Sequence, residues 1–171
     1  MELTASQSAP AGRLLPAGEY WYEDVEIGDH FTTAGVTVTE AHVVGFAGLV
    51  GDLFDVHMDD EFARAQGFPG RIAHGLLGLS LADGLKTRCA VRFMGVATLG
   101  WNWSFRAPLL IGDRMSVVIT INQRRLTRRG NRGILTLGMQ ILKQDGSVVQ
   151  EGSTELLVQC RSETGEAGKP G

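Results

Sequence analysis

Residues 72–88 read IAHGLLGLSLADGLKTR. Apolar side chains recur there at spacings that cover nearly the whole circumference of a helix, so we predict a helix from Ile72 to Arg88 that is buried on most sides. Gly75, Gly78 and Gly84 interrupt the leucines, and each glycine costs about 1 kcal/mol in helix propensity. That cost is reasonable if neighbouring backbone comes very close. The stretch therefore predicts a long central helix wrapped by a sheet.

The residues after this helix show the two-residue alternation of strands. Trp101, Trp103 and Phe105 alternate with small or polar residues, and three later stretches repeat the pattern. The predicted strands cover about residues 99–105, 115–121, 133–143 and 147–158. The last two are joined through Asp145-Gly146, a dipeptide that tolerates the positive φ of a tight hairpin. One long helix ahead of four antiparallel strands predicts an α+β fold, with the helix on the concave face of a curved sheet.

Shorter elements precede the central helix. We predict a short strand around residues 30–38 and a helix from the N-cap Thr39 to about Val50. The buried stripe of that helix is expected to comprise Val43, Val44, Phe46, Ala47 and Val50. A second short helix is predicted over residues 59–65, whose acidic first turn suits the positive end of the helix dipole. Residues 52–57 then form a loop between two helices.

Size and charge bound the possible functions. The 171 residues fit one domain, expected to span residues 19–161 between disordered tails of residues 1–18 and 162–171. With 16 basic and 19 acidic residues, no global field favours nucleic acid or an anionic membrane. Cys89 and Cys160 lack the spacing of metal ligands, so we expect no metal site. The sequence shows no signal peptide and no membrane-spanning stretch, which predicts a cytoplasmic protein.

Asp52, His57 and Gly75 offer a carboxylate, an imidazole and a free backbone N–H. These groups can move a proton beside a polarised carbonyl. Asp52 and His57 are five positions apart, so they converge only across a bent loop and not on one helix face. The N–H of Gly75, at the start of the central helix, lacks an intrahelical partner. A simpler interpretation is that Asp52 ends the first helix and His57 is a loop residue bonded to backbone.

Three groups of residues carry a family resemblance: Gly51-Asp52 with His57, residues 72–77 with Ser80, and residues 103–113. Together they resemble the MaoC-like dehydratase and R-specific enoyl-CoA hydratase family, which has the hotdog fold. The resemblance implies that Asp52 and His57 activate a water for addition to a 2-enoyl thioester, or act in the reverse dehydration, while Gly75 polarises the carbonyl. It further implies that Ser80 orients the histidine.

The same resemblance implies the partners of the chain. Coenzyme A would enter as part of the acyl-CoA substrate, with no other cofactor. Antiparallel sheets of this kind expose an edge, and relatives pair such edges, so we expect a homodimer or a dimer of dimers. Two rival functions stay open: a hotdog thioesterase that directs water at the thioester carbonyl, and a non-catalytic protein that binds an acyl thioester.

Five further residues are expected to contact the substrate: Phe54, Asp55, Ile72, Ala73 and His74. Phe54-Asp55 stand where many relatives have Asn-Pro, which predicts a different loop and an unusual acyl group. Asp55 is expected to favour the protonated form of His57 if the two lie close together. A lone histidine such as His74, at the N-terminus of a buried helix, is more often structural and neutral.

A basic run surrounds Gly130 near the end of the chain. Its members are Arg124, Arg125, Arg128, Arg129 and Arg132. The run predicts a solvated charged tip on a hairpin, and phosphate binding by one or two of the guanidinium groups is the alternative.

Overall fold

The computed structural model describes residues 12–161. Its helices, in chain order, are α1 Glu40–Val50, α2 Asp55–Met58, α3 Asp60–Ala65 and α4 Gly75–Thr87, with a 3-10 turn at Tyr22–Asp24. Its strands are β1 Gly18–Tyr20, β2 His30–Thr32, β3 Val36–Thr37, β4 Val91–Phe93, β5 Gly95–Phe105, β6 Arg114–Leu126, β7 Arg132–Leu142 and β8 Val148–Gln159. The α+β class and the four long strands after the central helix are confirmed.

The main sheet is antiparallel, in the order β2-β6-β7-β8-β5, with β3 also paired to β6 and β1 paired to β4 outside it. Along β6, alternate residues are buried because one face of the strand packs on the core: Met115, Val117, Ile119 and Ile121 are each at most 1% exposed. β5 pairs with β8 and not with β6, its successor in sequence. The edge strand β5 is therefore the last strand on its side of the described sheet.

The central helix α4 packs over β6. It begins at Gly75, not at Ile72 as predicted, because Ile72 forms an extended bridge with Leu110 and Ala73 N–H donates to the Leu109 carbonyl. One face of α4 is buried, through Leu77, Gly78, Ala82, Leu85 and Lys86. Leu76 is 60% exposed. The prediction that the helix is buried on most sides is wrong for a single chain.

Helix α1 follows its capping signals closely. Thr39 accepts a hydrogen bond from the His42 N–H, as the predicted N-cap should. Of the expected stripe, Val43 and Ala47 are fully buried and Phe46 packs against the core. Val44 and Val50 are 44% and 51% exposed, which contradicts that part of the prediction.

Two predicted boundaries are wrong. The strand expected over residues 30–38 is divided into β2 and β3, with residues 33–35 outside either strand. The N-terminal tail is shorter than expected, because Leu15 is only 4% exposed and its N–H donates to the His30 carbonyl. Arg13 also forms an ion pair with the buried Asp29. The expected disorder of residues 1–11 and 162–171 falls outside the described residues.

The Asp145-Gly146 turn is confirmed. Gly146 adopts φ 82°, and the Lys143 N–H donates to the Ser147 carbonyl to close the turn between β7 and β8. Within residues 12–161, no helix is both long enough and apolar enough to cross a membrane.

Candidate active site

A glycine turn and a short helix bring Asp52 and His57 together. Gly51 ends α1 in the left-handed region, at φ 79°, and its N–H caps the Ala47 carbonyl. The chain then reverses through Asp52, and His57 sits within α2 rather than in a loop. The predicted bend is present, although the segment expected as a loop contains this helical turn.

Asp52, His57 and His74 form one cluster. One side-chain nitrogen or oxygen atom from each lies within 4.8 Å of the others. Two hydrogen bonds of about 2.8 Å each through a shared water span up to roughly 5.6 Å. The cluster therefore has the dimensions of a single water bridge between the Asp52 carboxylate and an imidazole.

His57 is held in one tautomer by the backbone. Its Nδ1–H donates to the Ile72 carbonyl at 2.8 Å, so Nε2 carries the lone pair whenever the ring is neutral. Burial lowers the pKa of His57 below its usual value and His74 lowers it further, while the bond to Ile72 and the charge of Asp52 raise it. The net direction is downward, so the neutral base is favoured.

The expected effect of Asp55 is therefore wrong. The charges that shift the pKa of His57 belong to His74 and Asp52, and the outcome is a lowered value instead of a raised one. Asp55 occupies the exposed first turn of α2, where its charge is screened by solvent.

His74 contacts both Asp52 and His57. It is 3% exposed, and its Nε2–H donates to the Asp52 backbone carbonyl at 2.9 Å. Its ring stacks on that of His57, with centroids 3.8 Å apart and planes 27° from parallel. Its Nδ1 has no hydrogen-bond partner among the described residues. The side chain thus fixes both the Asp52 backbone and the His57 ring.

Stacking also bears on metal binding. The spacing of the three groups is that of a possible metal site, but imidazole lone pairs lie in the ring plane. Rings that stack nearly parallel direct those lone pairs alongside each other, whereas a tetrahedral ion requires them to converge. The donor geometry therefore does not suit a shared metal ion.

Gly75 is the first residue of α4, where backbone N–H groups have no carbonyl one turn earlier to bond. The preceding residue, His74, provides no side-chain cap. The ring of Phe105 packs directly over the Gly75 Cα, since an added Cβ would lie 2.6 Å from the Phe105 Cε1. Glycine is therefore required by this close approach as well as permitted at the helix start.

A cavity of about 600 Å³ adjoins these groups. The predicted site residues on its wall are Asp52, His57, Ile72, Ala73, His74 and Gly75. The rest of its lining is largely apolar: Phe46, Val50, Phe68, Leu76, Phe105, Arg106, Ala107, Pro108, Leu109 and Gln150. Phe105 to Leu109 lie within residues 103–113, the third group that carries the family resemblance, but no local signal in the sequence points to Gln150.

Three of the predicted site residues lie elsewhere. Phe54 and Asp55 do not line the cavity, and Phe54 instead packs edge-on against His57 and Phe62. The Ser80 hydroxyl donates to the Leu76 carbonyl at 2.8 Å and does not orient His57. Five residues advance a helix by about 500°, which turns Ser80 roughly 140° away from Gly75.

The arginine run is remote from this cavity. It spans the end of β6, the β6–β7 turn and the first residue of β7, whereas the cavity lies level with Phe105 and Gln150 at the other end of the sheet. The distance along the strands is roughly 30 Å. Arg124 pairs with Glu26, and Arg125 with Glu155. These contacts favour the exposed charged tip over a phosphate site beside Asp52.

Comparison with known proteins agrees with the motifs. Residues 24–140 match the family model described as the MaoC-like domain. The chain belongs to the MaoC-like domain family.

MaoC-like relatives match at moderate identity. Protein MaoC of Klebsiella aerogenes is 36% identical over 113 residues, which are 66% of this chain but only 33% of that protein. The chain thus spans about a third of the length of that relative. The (R)-specific enoyl-CoA hydratase of Aeromonas caviae is 31% identical over 112 residues, covering 66% of this chain and 80% of the hydratase.

Solved structures agree with the fold. The MaoC-like dehydratase from Rhodospirillum rubrum aligns with a TM-score of 0.77 and 28% identity, over 83% of this chain and 98% of that one. A Mycobacterium tuberculosis protein with a double hotdog fold aligns with a TM-score of 0.75 and 21% identity, over 92% of this chain and 48% of its own. The MaoC-like chain described here has the hotdog fold.

Proposed function

We propose that this protein is a hydro-lyase that adds water to a trans-2-enoyl thioester, or removes it from the corresponding 3-hydroxyacyl thioester. The observation that carries the proposal is the cluster of Asp52, His57 and His74, in which one side-chain nitrogen or oxygen atom of each residue lies within 4.8 Å of the others, beside a largely apolar cavity. Membership of the MaoC-like family and the names of its hydratase and dehydratase relatives support the reaction class.

In the proposed reaction, one water binds between the Asp52 carboxylate and His57 Nε2. The two side chains take a proton from this water as its oxygen bonds to C3 of the enoyl group. The π electrons of the alkene move toward the thioester, and a proton from the same pair then bonds to C2. Dehydration follows the same steps in reverse, so the pair returns to its starting protonation state in either direction.

Negative charge develops on the thioester oxygen during this addition. The N–H of Gly75 at the start of α4 has no hydrogen-bond partner among residues 12–161, so it can donate to that oxygen, and the helix dipole adds to the stabilisation. Removing one such donor typically costs about 10²–10³ in kcat. In this reaction scheme His74 does not transfer a proton, but holds the Asp52 backbone and the His57 ring in position.

The proposed substrate is an acyl-CoA. The largely apolar wall of the cavity suits the acyl chain, and the A. caviae relative is named as an enoyl-CoA hydratase. Coenzyme A is then part of the substrate, and the proposed reaction requires no additional cofactor because proton transfer and one oxyanion donor suffice.

We also propose a homodimer formed through the edge strand β5. Nine of the eleven residues of β5 are exposed, the eight from Gly95 to Asn102 and Phe105, and the strand has no neighbour beyond it in the described sheet. Val96, Leu99, Trp101 and Phe105 are exposed there by 37–56%. An unpaired edge with large apolar side chains is suited to an isologous, two-fold interface. Such a partner would also cover Leu76, at the exposed face of α4.

A panel of short, long and branched 2-enoyl-CoA esters tests the proposed reaction. Hydration removes the conjugated-alkene absorbance and leaves the thioester intact, so no free thiol appears. Release of free coenzyme A with the alkene retained would instead establish the thioesterase. Saturable binding without either change would establish a non-catalytic acyl-thioester-binding protein and refute the hydro-lyase.

A further inference from the structure

Gln150 connects the sheet to the first turn of α4. The side chain is 2% exposed and lies on the cavity wall, at the start of β8. Its Nε2–H donates to the Gly75 carbonyl at 3.1 Å, and its Oε1 accepts from the Trp103 indole N–H at 3.0 Å. Both ends of a buried carboxamide are thus satisfied by different elements, which leaves it one orientation.

Two glycines allow this contact. A Cβ on Gly78 would lie 2.3 Å from the Gln150 Nε2, and a Cβ on Gly75 would lie 2.6 Å from the Phe105 ring. Phe105 and Gln150 are cross-strand partners on β5 and β8. The first turn of α4 therefore rests on a pair of neighbouring side chains that belong to the rigid sheet.

The start of α4 needs such support. It begins with glycine, the residue with the most backbone freedom, and its N-cap has no side-chain hydrogen bond. The first N–H groups of a helix have no intrahelical partner to hold their direction. The Gly75 N–H lies in the planar peptide unit that also carries the His74 carbonyl, which accepts from the Gly78 N–H at 3.2 Å. Only φ and ψ of Gly75 join this unit to the Gly75 carbonyl, so fixing that carbonyl and the Cα restricts the directions in which the N–H can point.

We propose that Gln150, oriented by Trp103, is a positioning residue that aims the Gly75 N–H at the thioester oxygen. This inference rests on the proposed function and adds a residue that is distant in sequence from every other member of the site. Gln150 does not contact the reacting atoms. It acts through Gly75, so its loss should affect transition-state stabilisation more than substrate binding.

The test compares Gln150→Met with Gln159→Glu, a change at the exposed end of the same strand. Because a misplacement of about 1 Å can cost on the order of 10²-fold, Gln150→Met should lower kcat for crotonyl-CoA by about 10–100-fold and leave KM within about 3-fold. Gln159→Glu should retain the parent kcat. A second readout is the red shift in absorbance of a bound aryl-conjugated enoyl-CoA, which reports carbonyl polarisation and should shrink in Gln150→Met alone.

Each outcome of this test either supports or overturns the positioning role of Gln150. A folded Gln150→Met protein with the parent kcat and an unchanged red shift would overturn the inference, as would a loss confined to KM. If Gln150→Met does not fold, Trp103→Phe decides, because it keeps the carboxamide but removes its anchor: a reduced red shift and kcat support the inference, and parent values refute it. If the parent protein itself hydrates no enoyl-CoA, the proposed function is wrong, and this result is distinguishable from a failure of the role proposed for Gln150 alone.

Discussion

Replacing Gly75 with alanine should displace the proposed oxyanion donor. The added Cβ would lie 2.6, 2.8 and 2.9 Å from three ring atoms of Phe105, and ordinary contact begins at 3.4 Å. The helix start or the ring must therefore move by about 0.8 Å, from 2.6 to 3.4 Å, to restore ordinary contact. Overpacking of this kind costs about 1–3 kcal/mol, and a displacement near 1 Å at a catalytic group costs up to about 10²-fold in rate. We expect kcat to fall by about 10–100-fold.

A smaller side chain at position 105 should restore activity to Gly75→Ala. Phe105→Leu provides space for the new methyl group, so Gly75→Ala/Phe105→Leu should recover at least about tenfold of the lost kcat, a coupling of roughly 1.4 kcal/mol. The assay is the loss of enoyl absorbance with crotonyl-CoA, with thermal unfolding to confirm that all three variants fold. A double variant whose loss equals the product of the two single losses would refute the steric reasoning.

Three further predictions concern pH, stability and assembly. Because the pKa of His57 is lowered, mainly by burial, the acid limb of kcat/KM should lie below about pH 6.5, and His74→Phe should move it to higher pH. As the pH falls below about 6.5, His57 binds a proton in the unfolded chain before it does so in the folded protein, where its pKa is lower. The free energy of unfolding should therefore fall as the pH is lowered from about 6.5 to the pKa of the folded protein. Gly133→Ala should cost about 1–3 kcal/mol of that free energy in chemical denaturation, because its Cβ would overlap Tyr22. Leu99→Glu on the edge strand β5 should shift the protein to monomers in light scattering.

Matched variants control the last two predictions. Gly48 lies inside α1 with open space around it, so Gly48→Ala should raise stability by about 1 kcal/mol. Leu126 is as exposed as Leu99 but lies on β6, so Leu126→Glu should leave the assembly unchanged. The steric argument is contradicted if Gly133→Ala is as stable as the parent. The edge-strand interface is contradicted if Leu99→Glu remains a dimer. The effect of His74 on the pKa of His57 is contradicted if His74→Phe leaves the acid limb unmoved.

Local signals in the sequence identified most elements of the fold. Thr39 caps α1 and Asp145-Gly146 turns the last hairpin because capping and turn chemistry depend only on neighbouring residues. The exposed face of α4 was not predicted, since periodicity reports which residues are apolar and not which surface covers them. The burial of Leu15 is not predictable from periodicity, because one or two apolar residues in a polar segment are too short a pattern to recognise.

The site was only partly predictable, because local signals do not show which distant residues come together in the fold. Asp52, His57 and Gly75 were recognisable by chemistry and resemblance. Gln150 follows Gly75 by 75 positions and joins it only through the sheet, so no spacing rule could find it. Helix geometry places Ser80 on a different face of α4 from Gly75, and its hydroxyl bonds to the Leu76 carbonyl instead of to His57.

The central claim is that the Asp52 carboxylate and the His57 imidazole act together on one water. The most direct measurement is kcat/KM for crotonyl-CoA hydration by Asp52→Asn and His57→Gln, beside two controls, Asp59→Asn and His42→Gln. The controls keep their caps, since Asn replaces Asp at an N-cap and Gln suits the third position of a capping box. We predict losses of about 10²–10⁴ for the first two variants and parent activity for the controls. Folded Asp52→Asn and His57→Gln proteins that stay within tenfold of the parent would contradict the account.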